Sequence, residues 1–280
     1  MNRLQRIAAA TETLQIIERG WYTNGKGETV RIQEAVQTAI RESQLLKPAD
    51  FPGLTARYNA LSPQKMQTRF FVNNETTLQA ASRLAGYTDK VFCLNFASAK
   101  NPGGGFLTGA QAQEESLARS SALYPCIVQM QAMYQTNRAT RGCLYTDHMI
   151  YSPAVPVFRD DDGALLDTFF TASFLTAPAV NTGVVLRQEK HNIAQIEPVM
   201  IARLEKILSV ALVKGYRHLV MGAWGCGVFQ NDPENVAGYF QKHLKENPVF
   251  SGVFEEVVFA VLDHSADQRI IRPFMTQFAT

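Results

Sequence analysis

Two rhythms of apolar and polar positions run along this chain. Short apolar runs rich in β-branched and aromatic residues stand at RFFVN (69–73), KVFCLNFA (90–97), MIYSPAVPVF (149–158), FTASFLTAPAV (170–180), RHLVMGA (217–223) and EVVFAVLD (256–263), and each predicts a strand. Helical patterns fit between most of them. Such alternation implies an α/β fold with helices on both faces of a mixed sheet, because parallel strands need crossover helices. Upstream, Leu4, Ile7, Leu14 and Ile17 keep helical spacing, TNGKGE (23–28) predicts a hairpin turn followed by TVRI, and a second helical stretch runs from Gln33 to Leu46. KPADFPGL (47–54) reads as a Pro-bearing linker between this part and the body, and RDDDG (159–163) as a solvated hairpin turn.

In open α/β sheets ligands bind beyond the carboxyl ends of the strands, and both glycine-rich segments of the chain lie there. The first, NPGGGFLTGAQAQEESL from Asn101 to Leu117, places Gly103, Gly104 and Gly105 in succession, so a ligand can approach the backbone amides and positive φ angles carry no steric cost. Seven residues further on, Gln113, Glu114 and Glu115 open a helical pattern. Acidic residues suit a first helical turn for the macrodipole alone. Neighbouring helical residues point about 100° apart, so two carboxylates in a site must have different tasks. The second segment, GAWGCGVF, spaces Gly222, Gly225 and Gly227 ahead of a predicted helix with Asp232 at the N-cap and Pro233 at its first position. A helix start behind a glycine loop attracts phosphate, although a tight strand-to-helix turn needs glycine as well. Phe229 and Trp224 each fit a ligand-facing or a core role.

Composition narrows the classes. With 280 residues, 46% hydrophobic and 19% charged, the chain can bury a sizeable core and reads as an ordinary globular protein. No apolar run is long enough to span a bilayer. The N-terminal twenty residues carry two acidic side chains at helical spacing, unlike a secretory or transit signal, and cytoplasmic residence is the expectation. A net charge of +2 with scattered cations does not support binding to duplex nucleic acid. Cys93, Cys126, Cys143 and Cys226 show no metal-like spacing and read as reduced thiols; neither a metal nor another cofactor is expected. The five histidines receive no role. Asp263, His264, Ser265 and Asp267 read as a turn after a strand, and Ser98 stands in no GxSxG elbow.

The combination NPGGG, then AQAQEE, then GAWGCGVFQNDP resembles the bacterial-type poly(ADP-ribose) glycohydrolases, which are built on a macrodomain. AATETLQIIERGWYT, NETTLQAA (74–81) and LNFASAKNPGGG are also similar, so the resemblance covers nearly the whole chain. It implies a macrodomain-like α/β/α core over 67–280 with an N-terminal helical extension, 1–66, packed on it as one domain; the sequence leaves the oligomeric state open, with a monomer favoured. It implies hydrolysis of the ribose–ribose O-glycosidic bond of poly(ADP-ribose), with ADP-ribose released and ADP-ribosylated proteins as partners. Glu115 would be the catalytic acid and Glu114 would position the ribose. Gly103, Gly104, Gly105, Gln113, Gly225, Cys226 and Gly227 would hold the substrate, Val228 and Phe229 would pack against the reacting ribose, and Asn95 and Ser98 are weaker candidates for ribose contacts. A helix start lowers a carboxylate pKa whereas a general acid needs it raised, so negative charge on Glu114 and on the bound diphosphate is expected to oppose the dipole at Glu115. A mono-ADP-ribosyl hydrolase and a non-catalytic ADP-ribose-binding macrodomain are the competing readings; the intact QEE favours the enzyme.

Overall fold

The computed structural model describes residues 1–61 and 63–279. In chain order the elements are α1 (Arg3–Arg19), β1 (Trp21–Thr23), β2 (Thr29–Arg31), α2 (Gln33–Glu42), β3 (Gln44–Leu46), α3 (Phe51–Ala60), β4 (Arg69–Asn73), α4 (Thr77–Ala85) and β5 (Val91–Asn95). There follow α5 (Gln113–Ser120), α6 (Leu123–Val128), α7 (Gln131–Ala139), β6 (Met149–Arg159), β7 (Leu165–Thr176), α8 (Thr182–Gln188), α9 (Ile196–Val213), β8 (His218–Met221), α10 (Pro233–Gln241), β9 (Glu256–Ala260) and α11 (Ile271–Phe278).

Seven strands form one mixed sheet in the order β3-β6-β7-β5-β8-β9-β4. The five strands β7, β5, β8, β9 and β4 run parallel, and β6 and β3 pair antiparallel at one edge. β5 is buried along its whole length, and its side chains alternate between two cores. Phe92 and Leu94 join the core with α3, α9, α10 and α11, whereas Val91 and Cys93 join the one with α1, α2, α4, α6 and α7. A strand covered on both faces must be apolar throughout, which is why the central runs stand out in the sequence. The result is the expected three-layer α/β/α arrangement.

The N-terminal part departs from the sequence reading. The second helix stops at Glu42, where Ser43 Oγ donates to Ala39 O, and Gln44–Leu46 becomes a strand paired with Met149–Tyr151. The supposed linker is a 3-10 turn, Pro48–Asp50, running into α3, whose start tolerates Pro52 because the first helical amides need no intrahelical partner. The first 66 residues therefore do more than lie against the sheet: they supply its β3 edge. β7 also begins earlier than predicted, at Leu165, and stops at Thr176. In the turn between β6 and β7, Asp161 is not simply solvated: it accepts from Thr76 Oγ1 at 2.5 Å and from Ser116 Oγ at 3.1 Å, tying the hairpin to the starts of α4 and α5.

Candidate active site

β5 and β8 are adjacent and parallel, with Cys93 opposite Val220, so the loops leaving their carboxyl ends emerge side by side at the middle of the sheet. The first loop leaves Asn95 and returns into α5; the second leaves Met221 and enters α10, where Asp232 caps the helix by accepting from Glu234 N and Asn235 N. The N-terminal helix braces the first loop from outside. Arg3 Nε donates to Thr108 O, and Arg6 donates to Gly109 O at 2.8 Å and to Gln111 Oε1.

The two glutamates of α5 have different surroundings. Glu114 is 2% exposed and accepts from Ser98 N at 2.6 Å; Asn95 Nδ2 lies 3.4 Å away, and Gly103 N–H also points to it. Burial, with Glu115 alongside, pushes Glu114 up to about 8 against the pull of these donors. Burial thus favours the protonated form of Glu114 and works against the negative charge it was expected to set against the helix dipole. Glu115 is half-buried and accepts from Gly105 N at 3.0 Å. Gly104, at φ +57, passes over both: a Cβ there would stand 2.3 Å from Glu115 Oε1 and 3.5 Å from Glu114 Oε2. Only a bare backbone fits above these carboxylates.

Three of the residues predicted to contact substrate make supporting hydrogen bonds within the protein. The Gln113 amide accepts from Phe96 N at 2.8 Å and donates to Leu94 O and Thr77 Oγ1, so it fastens the start of α5 to the end of β5. Asn95 is fully buried and donates to Thr176 Oγ1 of β7, standing behind Glu114. Ser98 uses its amide on Glu114 and its hydroxyl to accept from Asn101 N. In the second loop Gly225, at φ +77, packs so tightly on Ala179 and Asn231 that any side chain would clash, which is a structural need. Gly227 has open space around it, and Val228 is 78% exposed. Burial, with Asp232 nearby, pushes the Cys226 thiol up and keeps it neutral. Trp224 belongs to the core, with Nε1 donating to Ala177 O.

Sequence reasoning missed Tyr145. It precedes β6 with φ +58, its ring lies 5.8 Å from Phe229 in the second loop, and Lys100 from the first loop stands 5.9 Å over it. No spacing in the sequence marks it, because the contact is made by the fold. Its backbone is held by the fully buried Arg203, which donates to Leu144 O, Tyr145 O, Pro178 O and Asp147 Oδ1. Asp263 likewise is a turn residue: it accepts from Ser265, Ile270 and Ile271 backbone amides and from the Ser265 hydroxyl, and these bonds hold it at about 2. Among the described residues, no group of three His, Cys, Asp or Glu could hold a metal ion. Among the described residues, no helix is long and apolar enough to cross a membrane.

The geometry has counterparts among known proteins. Residues 10–160 match the model of the microbial-type PARG catalytic domain. The poly(ADP-ribose) glycohydrolase from Thermomonospora curvata is 45% identical, with a TM-score of 0.94 over 99% of this chain and 100% of that one. A structure of the Thermomonospora curvata enzyme bound to the inhibitor ADP-HPD gives 44% identity and a TM-score of 0.91, again over 99% and 100% of the two chains. The Deinococcus radiodurans poly(ADP-ribose) glycohydrolase in complex with ADP-ribose is 40% identical, with a TM-score of 0.82 over 89% of this chain and 98% of that one. No curated protein matches the chain. The family match, the full-length likeness and the macrodomain-like sheet agree, and the chain belongs to the microbial-type poly(ADP-ribose) glycohydrolases.

Proposed function

We propose that this protein hydrolyses the ribose–ribose O-glycosidic bonds of poly(ADP-ribose) and releases ADP-ribose, with Glu115 as its catalytic residue. The observation that carries the reading is the carboxylate pair at the end of the central strand, one buried and one accessible, beneath the Gly104 backbone. Glu115 protonates the leaving oxygen, an oxocarbenium-like transition state follows, and the same carboxylate then activates water. Glu114, whose protonated form burial favours, hydrogen-bonds the ribose.

In this reading the Gly103–Gly105 turn, whose own amides are spent on Glu114, Asn101 O and Glu115, and the loop of Gly225, Cys226 and Gly227 form the two walls that hold the diphosphate. Val228 and Phe229 pack on the reacting ribose. Gln113, Asn95 and Ser98 act one step back, as positioning residues for α5 and Glu114. We further infer that the chain works as a single domain and a monomer, in the cytoplasm, on poly(ADP-ribose) and ADP-ribosylated proteins.

The test is release of ADP-ribose from purified poly(ADP-ribose) by the wild type, Glu115→Gln and Glu114→Gln. Release by the wild type that falls by about 10²- to 10⁴-fold in Glu115→Gln supports the assignment. Tight ADP-ribose binding without release would instead make the protein a reader.

A further inference from the structure

A groove away from the cleft joins an exposed aromatic ring to cations that no carboxylate neutralises. In the β1–β2 hairpin Trp21 stands opposite Arg31, so the two side chains leave the same face. Trp21 is 38% exposed, and the Arg19 guanidinium lies 4.5 Å from its ring centroid, held there by Nε donating to Trp21 O at 2.7 Å. Among the described residues neither Arg19 nor Arg31 makes an ion pair, whereas Lys26 of the same hairpin is neutralised by Asp167. The groove beside them encloses about 710 Å³ and is lined by short side chains, among them Ala35, Thr38 and Thr171, with Phe169 adding a second ring. Ala154 completes it from a bulge in β6, at φ +44, a backbone conformation that a non-glycine residue seldom adopts. Glu34 is the single carboxylate in the lining.

We propose that this groove is a second binding site for one adenosine diphosphate unit of a polymeric substrate, the base stacking with Trp21 and the phosphates meeting Arg19 and Arg31. The inference rests on the glycohydrolase reading. An exposed ring beside unpaired guanidinium groups is the chemistry that holds a nucleotide: a base stacks on the ring, and the guanidinium fork matches phosphate oxygens. The position of the groove relative to the cleft gives it a use. α1 touches the first glycine loop at Arg3 and Arg6 and delivers Arg19 to the groove, and its 17 residues span about 25 Å. A long polymer engages both sites at once and gains effective concentration, which a single ADP-ribose cannot do.

The experiment measures binding of long-chain poly(ADP-ribose) and of free ADP-ribose to Glu115→Gln protein, alone and with Trp21→Ala or Arg31→Gln added. Both added changes weaken the long polymer about tenfold and leave ADP-ribose unchanged; in active enzyme they raise KM for long polymer with kcat intact. Equal polymer affinity in all three proteins overturns the proposal. So does competition by heparin as effective as that by the polymer, which would mark a plain cationic patch. If the Glu115→Gln parent binds neither polymer nor ADP-ribose, the glycohydrolase reading itself has failed, and that is visible before any groove variant is compared.

Discussion

Gly104 and Glu115 are packed so closely that a single added methyl group would displace one of them: its carbon would stand 2.3 Å from Oε1. The glycine run is thus a steric condition for the carboxylate as well as a source of amides. Gly104→Ala would have to hold φ +57 and push Glu115 aside. The expected outcome is a strain of about 1–2 kcal/mol in stability and a loss of activity of about 10²-fold or more, since a displacement near 1 Å has that effect. Denaturant melts and ADP-ribose release, measured together, check it; a variant with wild-type turnover would refute the packing argument.

Glu114 makes stability depend on pH. Its folded value of about 8 lies above the ordinary 4.5 of a glutamate, so between those limits the folded state holds a proton that the unfolded chain has released. Its contribution is intact below about pH 4.5 and is lost as pH rises toward 8, by at most about 1.4 kcal/mol per pH unit. Glu114→Gln should flatten the fall in Tm between pH 5 and 8. Parallel Tm curves for the two proteins would show that Glu114 titrates normally.

Gln113→Ala removes the partner of Phe96 N and of Leu94 O at the end of the central strand. A loss of about 2–3 kcal/mol is expected from the buried groups left unpaired. Because Gln113 holds the helix that carries both glutamates, kcat should fall while KM for polymer changes little. A rise in KM with kcat unchanged would return Gln113 to direct substrate contact.

Arg203 is buried and fixes Leu144 and Tyr145 next to the second loop. Arg203→Met strands three carbonyls and leaves Asp147 with Lys206 as its remaining partner, and a cost of about 3 kcal/mol follows from the buried acceptors left unpaired. Chemical denaturation measures it directly. A change under 1 kcal/mol would mean that water replaces the guanidinium.

Val228 separates binding from folding, because it is already 78% exposed. Val228→Ala should leave stability within about 0.5 kcal/mol. If the side chain packs on the reacting ribose, polymer hydrolysis drops several-fold in the same protein; unchanged kinetics would remove Val228 from the site.

The layers and the chemistry-bearing loop are legible in the residues alone. Runs such as KVFCLNFA and EVVFAVLD have apolar centres because helices cover them on both sides, and that apolarity is a local property of the residues. Gly103 to Gly105 and Glu114 with Glu115 were legible because bare backbone and paired carboxylates are rare enough together to carry meaning. Tertiary structure decided the rest. Gln44–Leu46 is a strand only because Met149–Tyr151, distant in the chain, offers it hydrogen bonds. Gln113 faces Phe96, Leu94 and Thr77, and Tyr145 faces Phe229, through contacts that no spacing encodes. Which of two adjacent glutamates is kept protonated depends on how much water the folded chain leaves around each, and burial of a side chain is a property of the packed whole.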